Sequence, residues 1–295
     1  MLLINKKVLV SGADYFTDKD AINAQMNSSI PVDLDKAIKE HQSIVEAFKT
    51  AGIEVIQVKP PANCQDGIYT ANWALVRNGR AVMSRLPNKR KPEESYALKT
   101  LYDHGLAVIE LPKEIESFSG QGDAIACDDT LFCQSPYRTS IEAHSQVKNL
   151  LGFKNVLSLR TNPKRWFGFG PKKINRITKW PDSLTYDIDL AIAVLRPKTD
   201  SSPALIAYCP EVFEPESQKQ LEELEGFEKI IVTKKEALKS FATNLVSTGE
   251  TVILNSNAPL FKAELASRGF KVIELDLPEL KKGGGSIRCS SLTID

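Results

Sequence analysis

The sequence predicts a mixed α/β fold built from about five repeated strand–strand–helix–strand units. A helical stretch that ends in glycine and passes into a β-branched strand recurs five times along the 295 residues. Two further strand-like runs precede most of these helices. Closing five such units into a ring, a five-fold α/β propeller, would bury one face of each sheet and remove exposed sheet edges.

The recurring helix–glycine–strand pattern can be followed from end to end. Its helical stretches are residues 33–51, 93–104, 140–151, 215–225 and 259–268. The glycines that follow them are Gly52, Gly105, Gly152, Gly226 and Gly269. Glycine adopts the left-handed conformation at a helix end without a steric penalty, so each of these glycines marks a turn into a strand. Asp33 and Asn257 are helix-start signals.

Paired strand-like runs complete the units, at 69–76 with 80–84, at 124–126 with 130–133, and at 189–195 with 204–208. The longest stretch without periodicity, 161–180, is interpreted as a long loop. Its Arg165, Trp166 and Phe167 favour a basic surface loop over a lid above a substrate. Because no linker composition interrupts the chain, one domain over 1–295 is predicted. A two-domain doubly wound fold is disfavoured, since no Gly-x-Gly-x-x-Gly follows a strand.

The charge balance argues against a nucleic-acid partner, because 38 basic residues face 37 acidic ones. The apolar runs are strand-sized and too short to span a membrane, so no membrane partner is expected. The N-terminal residues lack the charged and apolar regions of a signal peptide, which predicts a cytoplasmic protein.

Five cysteines are present, and four of them (Cys64, Cys127, Cys133 and Cys209) lie in apolar, strand-like sequence typical of small core residues. No cysteine has a second cysteine or a histidine at zinc-ligand spacing, so no metal site is predicted. Cys289 differs from the other four because it follows the run Gly283-Gly-Gly.

Four segments carry a resemblance to a known superfamily. They are Asp14-Tyr-Phe with Ile22-Asn-Ala-Gln-Met26, Tyr69-Thr-Ala-Asn72 with Arg90-Lys-Pro-Glu93, Gly120-Gln-Gly-Asp123 with Ser135-Pro-Tyr-Arg138-Thr139, and Gly283-Gly-Gly-Ser-Ile-Arg-Cys289. Together they resemble the pentein guanidine-modifying enzymes, which include dimethylarginine dimethylaminohydrolase, arginine dihydrolase and the amidinotransferases. The resemblance covers nearly the whole chain and implies the five-bladed pentein propeller.

The resemblance also implies roles for individual residues. Cys289 would be the nucleophile, and the substrate-binding residues would be Asn72, Asp123, Asp189, Tyr69, Arg138 and Arg90. Asn72, Asp123 and Asp189 would hold a cationic group, and Arg138, with Arg90, a carboxylate. A thiolate suits a guanidinium carbon, which resonance deactivates, and attack would give a covalent thiouronium without metal or organic cofactor. A bound cation would lower the pKa of Cys289.

The catalytic pattern of the superfamily is broken at two positions. Where active relatives carry a histidine, in a stretch reading Tyr-His-Leu-Asp, this chain has Asp187, and Ser119 stands where they carry an acid. A histidine suits both protonation of a leaving amine and deprotonation of water. The three histidines, His41, His104 and His144, are predicted to be surface or packing residues, so Asp187 is the candidate acid and base.

Three functions therefore remain open. The first is hydrolysis of an arginine-like guanidine or amidine through a thiouronium on Cys289. The second is a catalytically silent pentein that binds a cationic amino acid or serves as an interaction scaffold. The third is amidine transfer to an amine acceptor. All three predict a small-molecule guanidine or amidine partner, or a protein partner for the scaffold, and a homodimer is possible.

Overall fold

The computed structural model describes residues 4–27 and 29–294, with the side chain of Asn88 left out. The predicted single domain, 1–295, thus extends slightly outside the described residues. Within them the β-strands are β1 (Lys7–Ser11), β2 (Glu54–Val58), β3 (Ala74–Arg77), β4 (Arg80–Met83), β5 (Ala107–Ile109), β6 (Ala124–Cys127), β7 (Thr130–Gln134), β8 (Asn155–Leu159), β9 (Ile192–Arg196), β10 (Ala204–Tyr208), β11 (Phe227–Ile231), β12 (Val246–Ser247), β13 (Thr251–Asn255), β14 (Lys271–Leu275) and β15 (Leu292–Thr293).

The α-helices are α1 (Leu34–Thr50), α2 (Lys91–Asp103), α3 (Gly120–Asp123), α4 (Ile141–Leu151), α5 (Pro215–Glu222), α6 (Lys234–Ser240), α7 (Pro259–Ser267) and α8 (Pro278–Lys282). Short 3-10 helices lie at Thr70–Trp73, Asn88–Arg90, Trp166–Gly168, Ile188–Leu190 and Pro210–Val212. In the part of the chain that the structure describes, no helix is both long and apolar enough to cross a membrane.

The strands form five three-stranded sheets: β15-β1-β2, β3-β4-β5, β6-β7-β8, β9-β10-β11 and β12-β13-β14. In each sheet the middle strand is antiparallel to the first strand and parallel to the third. A helix (α1, α2, α4, α5 or α7) connects the two parallel strands. The mixed α/β prediction is confirmed, and the five sheets fit the five repeated units. One sheet combines both ends of the chain, because β15 pairs with β1.

The turn residues behave largely as predicted. The five marker glycines all have positive φ angles, between 70° and 82°. Four of them directly follow a helix or its capping residue, whereas Gly226 comes four residues after α5 ends at Glu222. Asp33 caps α1 by accepting a hydrogen bond from the Lys36 amide. Asn257 does not cap α7, since Ala258 takes that position and the Asn257 amide donates to Ser256.

The first strands of two units begin later than the sequence pattern predicted. Residues 69–73 and 189–190 were expected to belong to β3 and β9, but 3-10 helices form at Thr70–Trp73 and Ile188–Leu190. These residues belong to the Thr-Ala-Asn segment and to the segment that carries Asp189. A turn directs a side chain differently from a strand, so the deviation from regular strand structure occurs where the predicted site residues lie.

The hydrophobic core consists of clusters that bridge successive sheets. One cluster joins Leu9 of β1 to Ala74 and Val76 of β3, and another joins Leu75 of β3 to Leu131 of β7. Direct contacts also link β3 with β15, and β9 with both β6 and β12. Because these apolar strands are buried against one another, neighbouring sheets keep a fixed position relative to each other. The segments that precede the first strands of the sheets are therefore held in fixed positions as well.

Candidate active site

Five buried polar residues occupy the same place in the five units. Each lies one to three residues before the first strand of its sheet: Asn72 before β3, Asp123 before β6, Asp189 before β9, Asn244 before β12 and Cys289 before β15. Three of them lie in short helical turns, at Thr70–Trp73, α3 and Ile188–Leu190. Each of the five units therefore places one polar side chain just before the first strand of its sheet.

Cys289 contacts two of these equivalent residues. Its Sγ lies 3.1 Å from Oδ2 of Asp189 and 3.1 Å from Nδ2 of Asn244. The Asn244 side chain also accepts hydrogen bonds from the backbone amides of Arg288 and Cys289. Asn244 thus holds both the thiol and the turn that carries it. Asn244 was not among the residues predicted from the sequence, although Thr243-Asn244 is similar to the Thr-Ala-Asn segment at the equivalent position of another unit.

The environment of Cys289 disfavours the thiolate in the ligand-free protein. Burial raises the pKa of the Cys289 thiol well above its usual range, and the carboxylates of Asp189 and Asp187 add to the shift. A cation in the site would act in the opposite direction, because positive charge near a thiol favours its ionised form. A cation bound beside Asp189 and Asp187 would therefore favour ionisation of Cys289, the predicted nucleophile.

Asp189 and Asp123 are buried carboxyl groups with raised pKa values. Burial, followed by the nearby charge of Asp187, raises the pKa of Asp189 to about 8. The same two causes raise the pKa of Asp123 well above its usual range, although a hydrogen bond from the Thr139 hydroxyl opposes the shift. Oδ1 of Asp189 has no hydrogen-bond partner among the described residues.

Asp187, which is expected from the sequence to stand at the histidine position of active relatives, is held by three neighbours. Its Oδ2 accepts from Nδ2 of Asn72 at 2.9 Å and lies 3.5 Å from Nη1 of Arg138. Its Oδ1 accepts from the Ser119 hydroxyl at 3.2 Å. The structure therefore brings together Asp187 and Ser119, the two residues at which the chain departs from the superfamily pattern.

Arg138 is buried against Tyr186, whose ring centroid lies 4.1 Å from the guanidinium carbon. Its Nη1 approaches Asp187, but Nη2 has no partner in the described part of the chain. An unsatisfied buried donor costs about 1–3 kcal/mol. The predicted role of Arg138 as a carboxylate anchor has an available donor, and it stays a prediction.

Arg90 is already engaged by the protein. Its guanidinium pairs with both carboxylate oxygens of Glu93 and donates to Oδ1 of Asn72 at 2.7 Å. It also donates to the carbonyl oxygens of Asp66 and Tyr69. These contacts assign Arg90 to fixing Asn72, while its predicted contact with a ligand carboxylate stays a prediction.

The glycine run before Cys289 packs beneath Tyr69. A Cβ added at Gly283 would lie 2.5 Å from Oη of Tyr69, and one added at Gly285 would lie 2.6 Å from the Tyr69 ring and 2.9 Å from Cβ of Cys289. The Tyr69 hydroxyl donates to the carbonyl oxygen of Leu280. The glycines are thus needed for close packing, and Tyr69, predicted to bind substrate, supports the turn that carries Cys289.

No histidine contacts this site within the described residues. His104 follows α2, where its Nδ1 lies 2.7 Å from the Thr100 carbonyl oxygen. His41 and His144 are buried, and burial lowers the pKa of each to about 4. The ring nitrogens of His144 form hydrogen bonds with the Ser158 hydroxyl and the Gln134 carbonyl oxygen, whereas Nε2 of His41 has no partner among the described residues.

Comparison with known proteins identifies the relatives of this chain. Residues 13–165 match the model of the family described as N,N dimethylarginine dimethylhydrolase, eukaryotic. The N(G),N(G)-dimethylarginine dimethylaminohydrolase of Mycobacterium tuberculosis is 30% identical over 281 residues, which cover 95% of this chain and 83% of that protein.

Arginine dihydrolases are also similar to the chain. The bifunctional arginine dihydrolase/ornithine cyclodeaminase ArgZ of Synechocystis sp. is 27% identical over 98% of this chain, which spans only 37% of that longer protein. The solved N-terminal domain of a cyanobacterial ArgZ, bound to product, superposes with a TM-score of 0.82 at 26% identity, covering 98% of this chain and 97% of that domain.

Proposed function

The chain belongs to the N,N-dimethylarginine dimethylhydrolase family of the pentein guanidine-modifying superfamily, and on that premise we propose that it hydrolyses the guanidine group of arginine or of an N-methylated arginine. The observation that carries the proposal is the contact of Cys289 with Asp189, at 3.1 Å, together with an unsatisfied buried acceptor on Asp189 and an unsatisfied buried donor on Arg138. The relatives named above are enzymes of dimethylarginine or of arginine.

The two unsatisfied atoms match the two charged ends of an amino acid with a guanidinium side chain. Oδ1 of Asp189 offers an acceptor to the guanidinium, and Nη2 of Arg138 offers a donor to the carboxylate. Carboxylates bind guanidinium groups in a fork geometry, and arginine binds carboxylates in the same way. A ligand with both charges would satisfy both atoms, whereas agmatine, which lacks the carboxylate, would leave Arg138 unsatisfied.

We assign the nucleophilic step to Cys289 after the substrate cation has bound. The Cys289 thiol passes its proton to a neighbouring carboxylate, the thiolate attacks the guanidinium carbon, and a C–S bond forms. The C–N bond to the departing nitrogen breaks as that carboxyl group returns the proton to the nitrogen. Water then loses a proton to the same carboxylate and attacks the thiouronium carbon. The C–S bond breaks, which releases a ureido product and restores the thiolate.

Asp189 is better placed than Asp187 to exchange these protons. It contacts Sγ directly, and its pKa of about 8 is close to neutral, where a general acid and base works best. Asp187 instead contacts Asn72, Ser119 and Arg138. We therefore propose Asp189 for the proton role that sequence analysis predicted for Asp187, with Asp187 positioning Asn72 and Arg138.

The test incubates the purified protein with arginine, methylated arginines and agmatine while ammonia and amine release are followed. Intact-mass spectrometry on the same samples detects a covalent adduct. We expect turnover of an arginine compound that is abolished in Cys289→Ser and retained in Cys209→Ser, which alters a buried cysteine in the hydrophobic core. Turnover that is unchanged in Cys289→Ser would refute the nucleophile assignment.

A second candidate function, binding of a cationic amino acid without turnover, is favoured by the carboxyl group at the histidine position and by the raised pKa of the thiol. Ligand binding to the native state raises the apparent unfolding temperature. Stabilisation by arginine without product or adduct would therefore support the silent function. Stabilisation together with product would exclude it.

We also propose that the five sheets close into a single propeller domain over 1–295. Supporting contacts join β3 to β15 and join β9 to β6 and β12, while β15 and β1 bring both chain ends into one sheet. A single domain is expected to unfold in one cooperative transition that is the same by tryptophan fluorescence and far-ultraviolet circular dichroism. Two separate transitions would contradict a single closed domain.

A further inference from the structure

The loop of residues 161–181, here called the basic aromatic loop, carries a concentrated positive charge. It contains none of the 37 acidic residues of the chain and six of its 38 basic residues: Lys164, Arg165, Lys172, Lys173, Arg176 and Lys179. The rest of the chain therefore has more acidic than basic residues. Among the described residues, none of the six forms an ion pair with a carboxylate.

Large apolar side chains project from the same loop. Phe167 and Phe169 are each 87% exposed, and Trp166 is 48% exposed. Soluble proteins rarely expose several large apolar side chains together unless the surface binds something. The aromatic residues at 166–169 lie between two basic pairs, Lys164–Arg165 and Lys172–Lys173, so any partner must match both properties.

The loop is an ordered structure. Arg165 pairs with Lys172 in an antiparallel bridge, and the Trp166 amide donates to the Pro171 carbonyl oxygen. Phe167 has a φ angle of 56°, a left-handed conformation that is unusual for a bulky residue. Hydrogen bonds thus hold the two phenylalanines at the tip of a hairpin, where their exposed rings face solvent.

The base of the loop is attached near the candidate active site. Lys164 and Asn175 donate to the carbonyl oxygens of Ala24 and Ala21. The same segment contains Asn23, which donates to the carbonyl oxygen of Gly283 in the run before Cys289. The exposed rings themselves do not cover the site, because a lid would bury them against it.

We propose that the basic aromatic loop docks the protein onto the surface of a membrane that contains anionic phospholipids. Clusters of basic residues are attracted to anionic headgroups, and aromatic rings enter the interfacial region of a bilayer. A single-stranded nucleic acid would instead require aromatic faces arranged as a stacking platform along a groove. The protruding rings of Phe167 and Phe169 at the hairpin tip fit the membrane surface better.

Counts of charged residues over the whole chain do not reveal the local concentration of basic residues in this loop. The near equality of 38 basic and 37 acidic residues argued only against a nucleic-acid partner, and the short apolar runs, which led to the prediction of no membrane partner, exclude only spanning segments. Peripheral binding depends on local charge and on a few exposed rings. The proposal therefore revises that sequence-based expectation.

The experiment measures co-sedimentation of the purified protein with phosphatidylcholine vesicles, with and without phosphatidylserine. We expect association only when phosphatidylserine is present, and weaker association as salt increases. Phe167→Ser combined with Phe169→Ser should weaken binding by about tenfold or more. Lys172→Ala combined with Arg176→Ala should weaken binding by about fivefold for each charge removed.

Matched controls separate the loop from general surface effects. Leu260→Ser removes another exposed apolar side chain, on α7, and Lys235→Ala with Lys239→Ala removes two exposed charges from α6. Both controls should bind as the unaltered protein does. The fluorescence of Trp166 should also shift to shorter wavelength on anionic vesicles, while Trp166→Phe should lose that shift.

Three results would overturn the proposal. The first is no association of the unaltered protein with phosphatidylserine vesicles, and the second is equal loss of binding in the loop variants and in their controls. The third is binding to a single-stranded oligonucleotide that the phenylalanine variant loses, without any binding to vesicles. That result would assign the loop to nucleic acid.

Discussion

Two clusters of buried charge meet at Asn72, and they differ in how completely their polar atoms are satisfied. On one side Arg90 and Glu93 share a two-pronged ion pair, and Arg90 also bonds Asn72 and two carbonyl oxygens. On the other side Asp189 and Arg138 each keep a buried atom without a partner among the described residues. We call the first cluster closed, because its ion pair is supported by further hydrogen bonds. We call the second cluster open, because two of its buried atoms have no partner among the described residues.

This difference distinguishes charged residues that stabilise the fold from charged residues whose unsatisfied atoms are available to a ligand. A buried ion pair with complete hydrogen bonding needs nothing further, and its loss is felt as instability. A buried carboxyl without full satisfaction raises the free energy of the folded protein until a ligand completes it. Arg90 and Arg138, which sequence analysis treated alike, therefore fall into different classes.

The largest expected effect comes from breaking the closed cluster. Arg90→Met leaves Glu93 buried without its cation, so it should lower the free energy of unfolding by about 3–5 kcal/mol. Urea denaturation measures the loss. The control is Arg268→Met, which removes exposed ion pairs with Glu264 and Glu228 and should cost about 1 kcal/mol or less. Equal losses in the two variants would contradict the comparison.

The next largest effect is a loss of stability at acid pH that comes from two buried histidines and not from the carboxyl groups near Cys289. The pKa of His41 and His144 is about 4 in the folded protein, below the ordinary value of 6.5. The folded state therefore binds fewer protons than the unfolded state between those pH values, so stability falls as pH decreases from 6.5 to 4. Each histidine should contribute about 3 kcal/mol to this loss. Urea midpoints across this range, compared with those of His144→Gln, measure the contribution.

The open cluster should behave in the opposite sense. Because the pKa of Asp189 rises to about 8 in the folded state, the folded protein binds more protons than the unfolded chain above pH 4. Stability should then fall as pH increases from about 4 to 8. Asp189→Asn should remove this slope and raise the free energy of unfolding at pH 8 by about 2 kcal/mol or more, while weakening ligand binding. A loss of stability at pH 8 in this variant would argue against an open cluster.

The smallest effect concerns ligand affinity. A guanidinium stays charged across the accessible range, so its binding requires ionised carboxylates. The affinity for arginine should therefore rise with pH up to about 8, by at most about tenfold for each pH unit. Isothermal titration calorimetry on Cys289→Ser, which keeps the carboxyl groups, measures it. An affinity that is independent of pH would show that Asp189 does not hold the cation.

Much of the fold was predictable because it depends on local chemistry. Gly52 and Gly105 identified helix ends through their left-handed backbone, and β-branched runs identified strands. The strand starts at β3 and β9 were predicted too early, because the preceding residues form 3-10 turns. A turn inside an apolar run leaves little trace in a pattern of alternating residues.

The candidate site was predictable only in part. Resemblance to a superfamily pointed to Cys289, Asp189 and Arg138, and the missing histidine at position 187 was visible in the sequence. Asn244 was not found, since its role depends on occupying the same place in its unit as Asn72 does in another. The engagement of Arg90 by Glu93 and Asn72 also required the folded chain.

The sequence by itself determined the repeated α/β units, the glycines at which the chain turns toward a strand, and the absence of histidine from residues 145–295. These features depend on residues close together in the chain. Only the tertiary structure placed Cys289 against Asp189, 100 residues away in sequence, and left Asp189 and Arg138 partly unsatisfied. Burial and long-range packing set pKa values and contacts, and both arise only when distant units are assembled.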